Sequence, residues 1–164
     1  MKRLTSEDYK EAEYLRALSR NRYFLRVFDV QNNNEYKFVI MEYFTRDLQQ
    51  LIFNDANMMS YENQYVSILR QIILGMKFCH SKNITHCDIK PLNIMVTESL
   101  QVMIVDFGMA KEIGDSVPEN SGTPGYIPPE LLLDSVQASP CLDVWCIGYV
   151  FVVISLESGF KKMH

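Results

Sequence analysis

The segment "CLDVWCIGYVFVVISLES", residues 141–158, constrains this chain more than any other. Read as a helix, it is apolar nearly all the way round, so it is expected deep inside a protein. Its longest apolar run, Val144 to Leu156, is 13 residues. That falls short of the ~20 residues a bilayer crossing requires, so a buried helix is expected and a membrane span is not. A buried helix needs a shell around it. The 164 residues are enough for one sizeable core. An apolar fraction of 48% with 22% charged residues is that of a globular chain, which argues against disorder.

The shell can be read along the chain. Residues 5–18 have helical spacing, with Ala12, Leu15 and Leu18 on one face and Thr5 with Asp8 as a capping box. "RYFLRVFDV" and "EYKFVIMEY", separated by "QNNN", predict a β-hairpin. A long helix is expected to open at Ser60 and stop near Ser81, Lys82 and Asn83, with Tyr65, Ile68, Leu69, Ile72, Met76 and Cys79 as its apolar stripe. "NIMV" and "QVMIV", joined by "TESL", predict two short strands. Residues 106–130 hold four of the seven glycines and four of the six prolines, so a long irregular segment is expected. Such segments in compact domains usually have a function.

Charge and cysteines narrow the function classes. A net charge of −4 without a run of Lys or Arg predicts neither a nucleic-acid partner nor a membrane partner. The basic pairs Lys2-Arg3 and Lys161-Lys162 are too short to alter that. Cysteines 79, 87, 141 and 146 form no C-x-x-C and have no histidine at zinc-finger spacing. Free thiols in a reducing compartment are expected. With no signal-peptide core in "MKRLTSEDYK", a cytoplasmic or nuclear location is expected.

The chemistry concentrates in "ITHCDIKPLNIMV", residues 84–96. Asp88, Asn93 and Asp106 fall at the ends of short β segments that can fold together. Their hard oxygens suit Mg²⁺ and not zinc or copper. Lys90 adds a cation on the same rim. Together these groups suit phosphoryl transfer, where charge must be neutralised and an acceptor positioned. A lone loop Asp or Asn is more often turn chemistry; only the joint pattern argues otherwise.

In order, "HCDIKPLN" (86–93), "DFG" (106–108) and "GTPGYIPPE" (122–130) resemble the eukaryotic protein kinase family, of the Ser/Thr type. "DVWCIG" (143–148) resembles the start of that family's central C-lobe helix, and "VIMEYF" (39–44) its last N-lobe strand and hinge. The resemblance implies an α+β, two-lobed, partial kinase fold. Residues 1–44 would be an N-lobe remnant, a regulatory helix plus a β-hairpin, with the hinge strand. Residues 45–164 would be an incomplete, mainly helical C-lobe.

It also implies ATP and Mg²⁺ as cofactors and a protein Ser/Thr hydroxyl as acceptor. Asp88 would take or orient the acceptor proton, and Lys90 would meet the γ-phosphate. Asn93 and Asp106 would hold Mg²⁺. Met41, Glu42, Phe44 and Met95 would line the nucleotide site, Met41 guarding its back. Thr123 would shape the acceptor site. Leu15, Val27, His86 and Phe107 would stack as a hydrophobic column anchored by Asp143, leaving His86 a packing residue. Glu11 matches the regulatory-helix glutamate that pairs with a lysine, an ordinary solvated helix charge being the other reading; Lys2 is the one candidate partner, and a solvated N-terminal lysine is the reading preferred for it.

Two departures matter. Cys87 stands where the family has an arginine that meets the phosphate of a modified activation loop, making this a non-RD sequence. Switching by that route is not expected; packing and redox roles for the thiol both stay open. Second, no G-x-G-x-x-G occurs. The chain is expected to be truncated at both ends and to lack the arginine that would pair with Glu130, so either Glu130 stays solvated or the real polypeptide is longer. The alternative to an enzyme is a half-kinase that binds and regulates another kinase or its substrate.

Overall fold

The structure is a computed structural model that describes residues 2–4, 9–32, 37–54 and 62–161. Near the start, β1 (Lys2–Leu4), β2 (Val27–Asn32) and β3 (Lys37–Met41) form one antiparallel sheet in the order β1-β3-β2. The hairpin expected from the two β-rich runs is β2–β3, with Val30 opposite Val39 and a bulge between Val27 and Asp29. The third strand is a correction to the helix-plus-hairpin expectation. Lys2 pairs with Val39 and Leu4 with Lys37, so β3 has a neighbour on both sides. Three residues, two of them basic, carry no alternation to announce a strand. The "QNNN" turn and the Thr5/Asp8 capping box lie wholly or partly outside the described residues.

Helix α1 (Tyr9–Leu18) buries Ala12, Leu15 and Leu18, the expected face. A seven-residue helix, α2 (Leu48–Asn54), had no sequence expectation; Asp47 caps it, Oδ1 accepting the Gln50 N–H at 2.8 Å. Helix α3 (Glu62–Ser81) buries Tyr65, Ile68, Ile72, Met76 and Cys79, recurring every three or four residues. Burying each of these apolar side chains contributes about 1.5–3 kcal/mol. Asn83 ends the helix in the left-handed region, with φ at 64°. Gly75 lets α3 approach closely: a Cβ there would stand 2.8 Å from Ile104 Cδ1 and 3.0 Å from Tyr23 Cβ.

Beyond α3 the strands are short. Strand β4 (Ile84–Thr85) pairs with β7 (Lys111–Glu112), and β5 (Ile94–Val96) with β6 (Val102–Ile104). Strand β8 (Ser116–Val117) pairs with β9 (Val136–Gln137). The 106–130 segment is thus irregular apart from two residue pairs.

Helix α4 (Pro140–Lys161) corrects the strongest sequence expectation. It buries one stripe, Cys146, Val150 and Ile154 in the main core and Leu142 in a smaller apolar cluster, and it packs on α2, α3 and β4. Its other side faces out, Val144 at 62%, Phe151 at 54% and Leu156 at 60% exposed. All-round apolarity described the helix; its described neighbours cover one side only. Among the described residues no helix is long and apolar enough to cross a membrane.

Candidate active site

The loop between β4 and β5 has a single 3₁₀ turn, Pro91–Asn93, and side chains fix the rest. Asp143, fully buried in the first turn of α4, accepts the His86 N–H on Oδ2 and the Cys87 N–H on Oδ1, both at 2.9 Å. These bonds hold a backbone that would otherwise relax, since Cys87 has φ of 64°. The left-handed region costs an L-residue other than Gly roughly 1–2 kcal/mol. The anchoring expected of Asp143 is therefore two hydrogen bonds across a strained turn.

His86 is fully buried, its ring centroid 4.6 Å from that of Phe107. Its Nδ1 accepts the Asp88 N–H at 3.3 Å, so Nε2 carries the proton and donates to the Val105 carbonyl at 2.9 Å. Both nitrogens are used, which makes His86 a packing residue. Leu15 and Phe107 share the main core, with Val27 packed against it.

Asp88 is the hub. Its Oδ2 accepts Lys90 Nζ at 2.7 Å and Asn93 Nδ2 at 3.1 Å, while Oδ1 accepts the Thr123 hydroxyl at 2.6 Å. Lys90 Nζ also donates to Thr123 Oγ1 at 2.5 Å. Asn93 Nδ2 donates a second time to the Asp88 carbonyl at 2.9 Å, so its amide oxygen is turned away from Asp88. All these side chains are buried or nearly so, where charge-assisted bonds are strong.

A cleft of about 370 Å³ lies beside this hub, walled by Leu15, Leu25, Met41, Tyr43, Phe44, Met95 and Val105, with Glu11, Glu42 and Asp106 as its polar members. Five residues expected at a nucleotide site, Met41, Glu42, Phe44, Met95 and Asp106, are among the walls. Lys90 and Asn93 are not. They belong to the hub, which joins the cleft through the Val105 N–H donating to the Asn93 carbonyl at 3.0 Å. Sequence reading missed Leu25 and Val105 as walls; the only signal was their place at the edge of a β run. Glu11 is 4% exposed, against the solvated reading. A Cβ on Gly108 would stand 3.5 Å from Asp106 Oδ1 and 3.9 Å from Glu11 Oε2, so that glycine lies between the two carboxylates. The Lys2 side chain lies outside the described residues.

Cys87 sits in a second apolar cluster with Val117, Leu131, Ala138 and Leu142, Ile127 packing against it. Burial foremost, then the nearby Asp143 carboxylate, pushes its thiol up to about 12. Its burial in this cluster and a thiol held neutral both favour the packing reading. Cys146 is raised to about 12 by the same burial, and all four cysteines are free. Glu130 is exposed.

Residues 2–161 match the family described as "Protein kinase domain". The chain belongs to the protein kinase family. This kinase sequence is 31% identical over 147 residues to the carbon catabolite-derepressing protein kinase of Saccharomyces cerevisiae, covering 88% of this chain and 23% of that one. It is 33% identical over 136 residues to cyclin-dependent kinase 2 of Caenorhabditis elegans, covering 79% and 36%. Against mitogen-activated protein kinase 5 of Arabidopsis thaliana the identity is 34% over 119 residues, covering 71% and 31%. The chain thus spans 23–36% of the length of these relatives.

Proposed function

We propose that this chain carries the catalytic centre of an ATP-dependent protein serine/threonine kinase, moving the γ-phosphate of Mg-ATP to a Ser or Thr hydroxyl. The observation that carries this is the Asp88 carboxylate, which holds a threonine hydroxyl at 2.6 Å and a lysine ammonium at 2.7 Å at once. That is the pairing a transfer to a hydroxyl needs: a base for the proton and a cation for the phosphoryl oxygens. On this reading Asp88 orients the acceptor and takes its proton, while Lys90 steadies the transferred group. Thr123 now fills the acceptor's place on Oδ1 and keeps the carboxylate aimed.

The apolar walls from Leu25 to Val105 suit a flat heteroaromatic base. The Glu42 N–H is spent on the Arg26 carbonyl at 3.2 Å, so base recognition falls to other hinge groups of residues 42–44. Asp106 and the turned-out Asn93 oxygen fit Mg²⁺, which takes few protein oxygens and completes its shell with phosphate and water. Among the described residues no three His, Cys, Asp or Glu side chains form a metal cluster, in keeping with that sparse set. Bound there, Mg²⁺ would neutralise phosphate charge. Residues 1–44 then act as N-lobe and hinge strand and 45–164 as C-lobe, and free thiols support a cytoplasmic or nuclear setting.

The apolar seat of Cys87 supports a further reading, that phosphate on the 106–130 segment is not what orders the site. The test of function is transfer from labelled Mg-ATP to a Ser/Thr peptide mixture, with Asp88→Asn alongside. Transfer lost in the variant supports the proposal; equal transfer by both sinks it. The outward apolar side of α4 favours a second reading, a module that binds another kinase or its substrate. That reading predicts a stable complex indifferent to Asp88→Asn.

A further inference from the structure

Six large apolar side chains of α4, Val144, Trp145, Tyr149, Phe151, Val152 and Leu156, are each 39–62% exposed. They are ordered along the helix. Trp145, Tyr149, Val152 and Leu156 follow a 4-3-4 spacing on one flank, and Val144 and Phe151, seven residues apart, run along the other. Between the flanks lie Cys141, Gly148 and Ser155, exposed and small, at intervals of seven. A Cβ built on Gly148 would meet no atom within 4 Å, so the middle of this face is an open furrow. None of the exposed residues from 141 to 156 is charged.

Area and symmetry say what fits there. At these exposures the six side chains present on the order of 500 Å² of apolar surface. A standard interface buries about 800 Å² per partner, a little over half of it apolar, so one such face supplies the apolar share of one side. The face is also its own complement. Turned antiparallel about Gly148, a second copy sets Phe151 against Val144 on one flank and Trp145 against Val152 on the other, large against small each time. The two Gly148 positions let the backbones approach, and Cys141 and Ser155, each about 10 Å along the axis from Gly148, come opposite one another. A two-fold axis requires this reciprocity, in which i meets j and j meets i.

We infer that the 164-residue chain forms a homodimer in which the outward face of α4 crosses its copy antiparallel at Gly148. The inference is independent of phosphoryl transfer, so Asp88→Asn should dimerise as the parent does. It gives to a second copy the side that the module reading gives to another kinase.

The experiment is sedimentation velocity on the chain, where the expected species has twice the 19.1 kDa of one copy. Gly148→Arg adds bulk where a Cβ meets nothing, so circular dichroism should show the fold kept while the dimer Kd rises at least about tenfold. In Ser155→Cys, diamide should oxidise the introduced thiol and Cys141 of the other copy to one disulfide, itself taking up the two hydrogens, and yield a covalent dimer. The parent should not crosslink, because its remaining thiols are buried. A parent still monomeric at about 0.1 mM, well above the micromolar Kd of a weak interface of this size, would overturn the inference. So would a dimer that Gly148→Arg leaves intact, which would put the contact elsewhere. A parent crosslinked through Cys141 alone would mean a parallel crossing and overturn the antiparallel one. A monomer that instead captures another kinase would give the face to that partner.

Discussion

Two stretches meet at Asp88 and are held by opposite means. The loop at 86–93 is fixed by polar bonds to buried groups: Asp143 to the His86 and Cys87 amides, Asn93 to Asp88, His86 to Val105. The segment 111–138 is fixed mainly by apolar contact around Cys87 and by the two-residue pairs β4–β7 and β8–β9, with Thr123 tying it to the hub through Asp88 and Lys90. Its polar tether to α1 is an exposed one, Lys10 Nζ 3.5 Å from Asp115 and 3.8 Å from Glu112. Exposed pairs of this kind contribute little. Polar bonds are directional, so the loop proposed to bear the chemistry has one geometry. Apolar contacts tolerate sliding, so the segment can be well packed and still adapt to a substrate.

The comparison breaks hardest at the hub. Asp88→Asn keeps the shape and removes the proposed base, so transfer should fall about 10²–10⁴-fold, measured as initial rate. Its unfolding free energy in urea should also fall, by about 1–3 kcal/mol, because Lys90 loses its charge-assisted partner and an amide offers one acceptor atom in place of two. Asp143→Ala should have the next largest effect, and on stability. It removes the acceptor for two buried amides and for His80, whose Nε2 lies 2.8 Å from Asp143 Oδ2, a loss of about 3–5 kcal/mol by urea unfolding. A change under about 1 kcal/mol would mean that the loop does not depend on that carboxylate.

On the apolar side, Leu131→Ala should cost about 2–3 kcal/mol, the low end of such truncations, because its neighbours Leu132 and Leu133 are exposed and the site can partly collapse. The sharper observation is where the loss appears. Proteolysis should open residues 116–138 in this variant, with 86–93 still protected. Simultaneous opening of both would mean that the two stretches form one unit.

The difference also explains what the sequence made legible. Asp88, Lys90 and Asn93 lie within six residues, so chain connectivity alone nearly guarantees their meeting, and the motif could be read directly. The five expected walls of the cleft come from the hinge strand and the residues after it, from the middle of β5 and from just beyond β6, again close to readable motifs. Leu25 as a wall, β1 as an added strand and His80 as a third partner of Asp143 depend on which distant segment packs where. No local pattern reports that. Helix α4 failed differently: hydrophobicity states what a helix prefers, not which sides its neighbours cover. Glu11 resolved in the opposite sense, since a charge at helical spacing reads as solvated unless the fold is known to close over it.

The smallest effect tests the apolar seat of Cys87 through pH. In the folded chain Cys87 and Cys146 are raised from 9.0 to about 12, chiefly by burial, and Cys79 is raised as well. Well below pH 9 neither the folded nor the unfolded thiols ionise appreciably, so their contribution is complete and nearly constant. Between about 9 and 12 the unfolded thiols release protons and the folded ones do not, which favours unfolding. Stability should therefore be level from pH 7 to 8 and fall by about 1 kcal/mol per buried thiol by pH 10, read from urea midpoints. Cys87→Ala should remove one thiol's share of that slope. A decline beginning below pH 8, matched by fast alkylation of Cys87, would mean an accessible thiolate beside Asp88. The contrast between a polar loop and an apolar segment would then fail at the one residue that belongs to both.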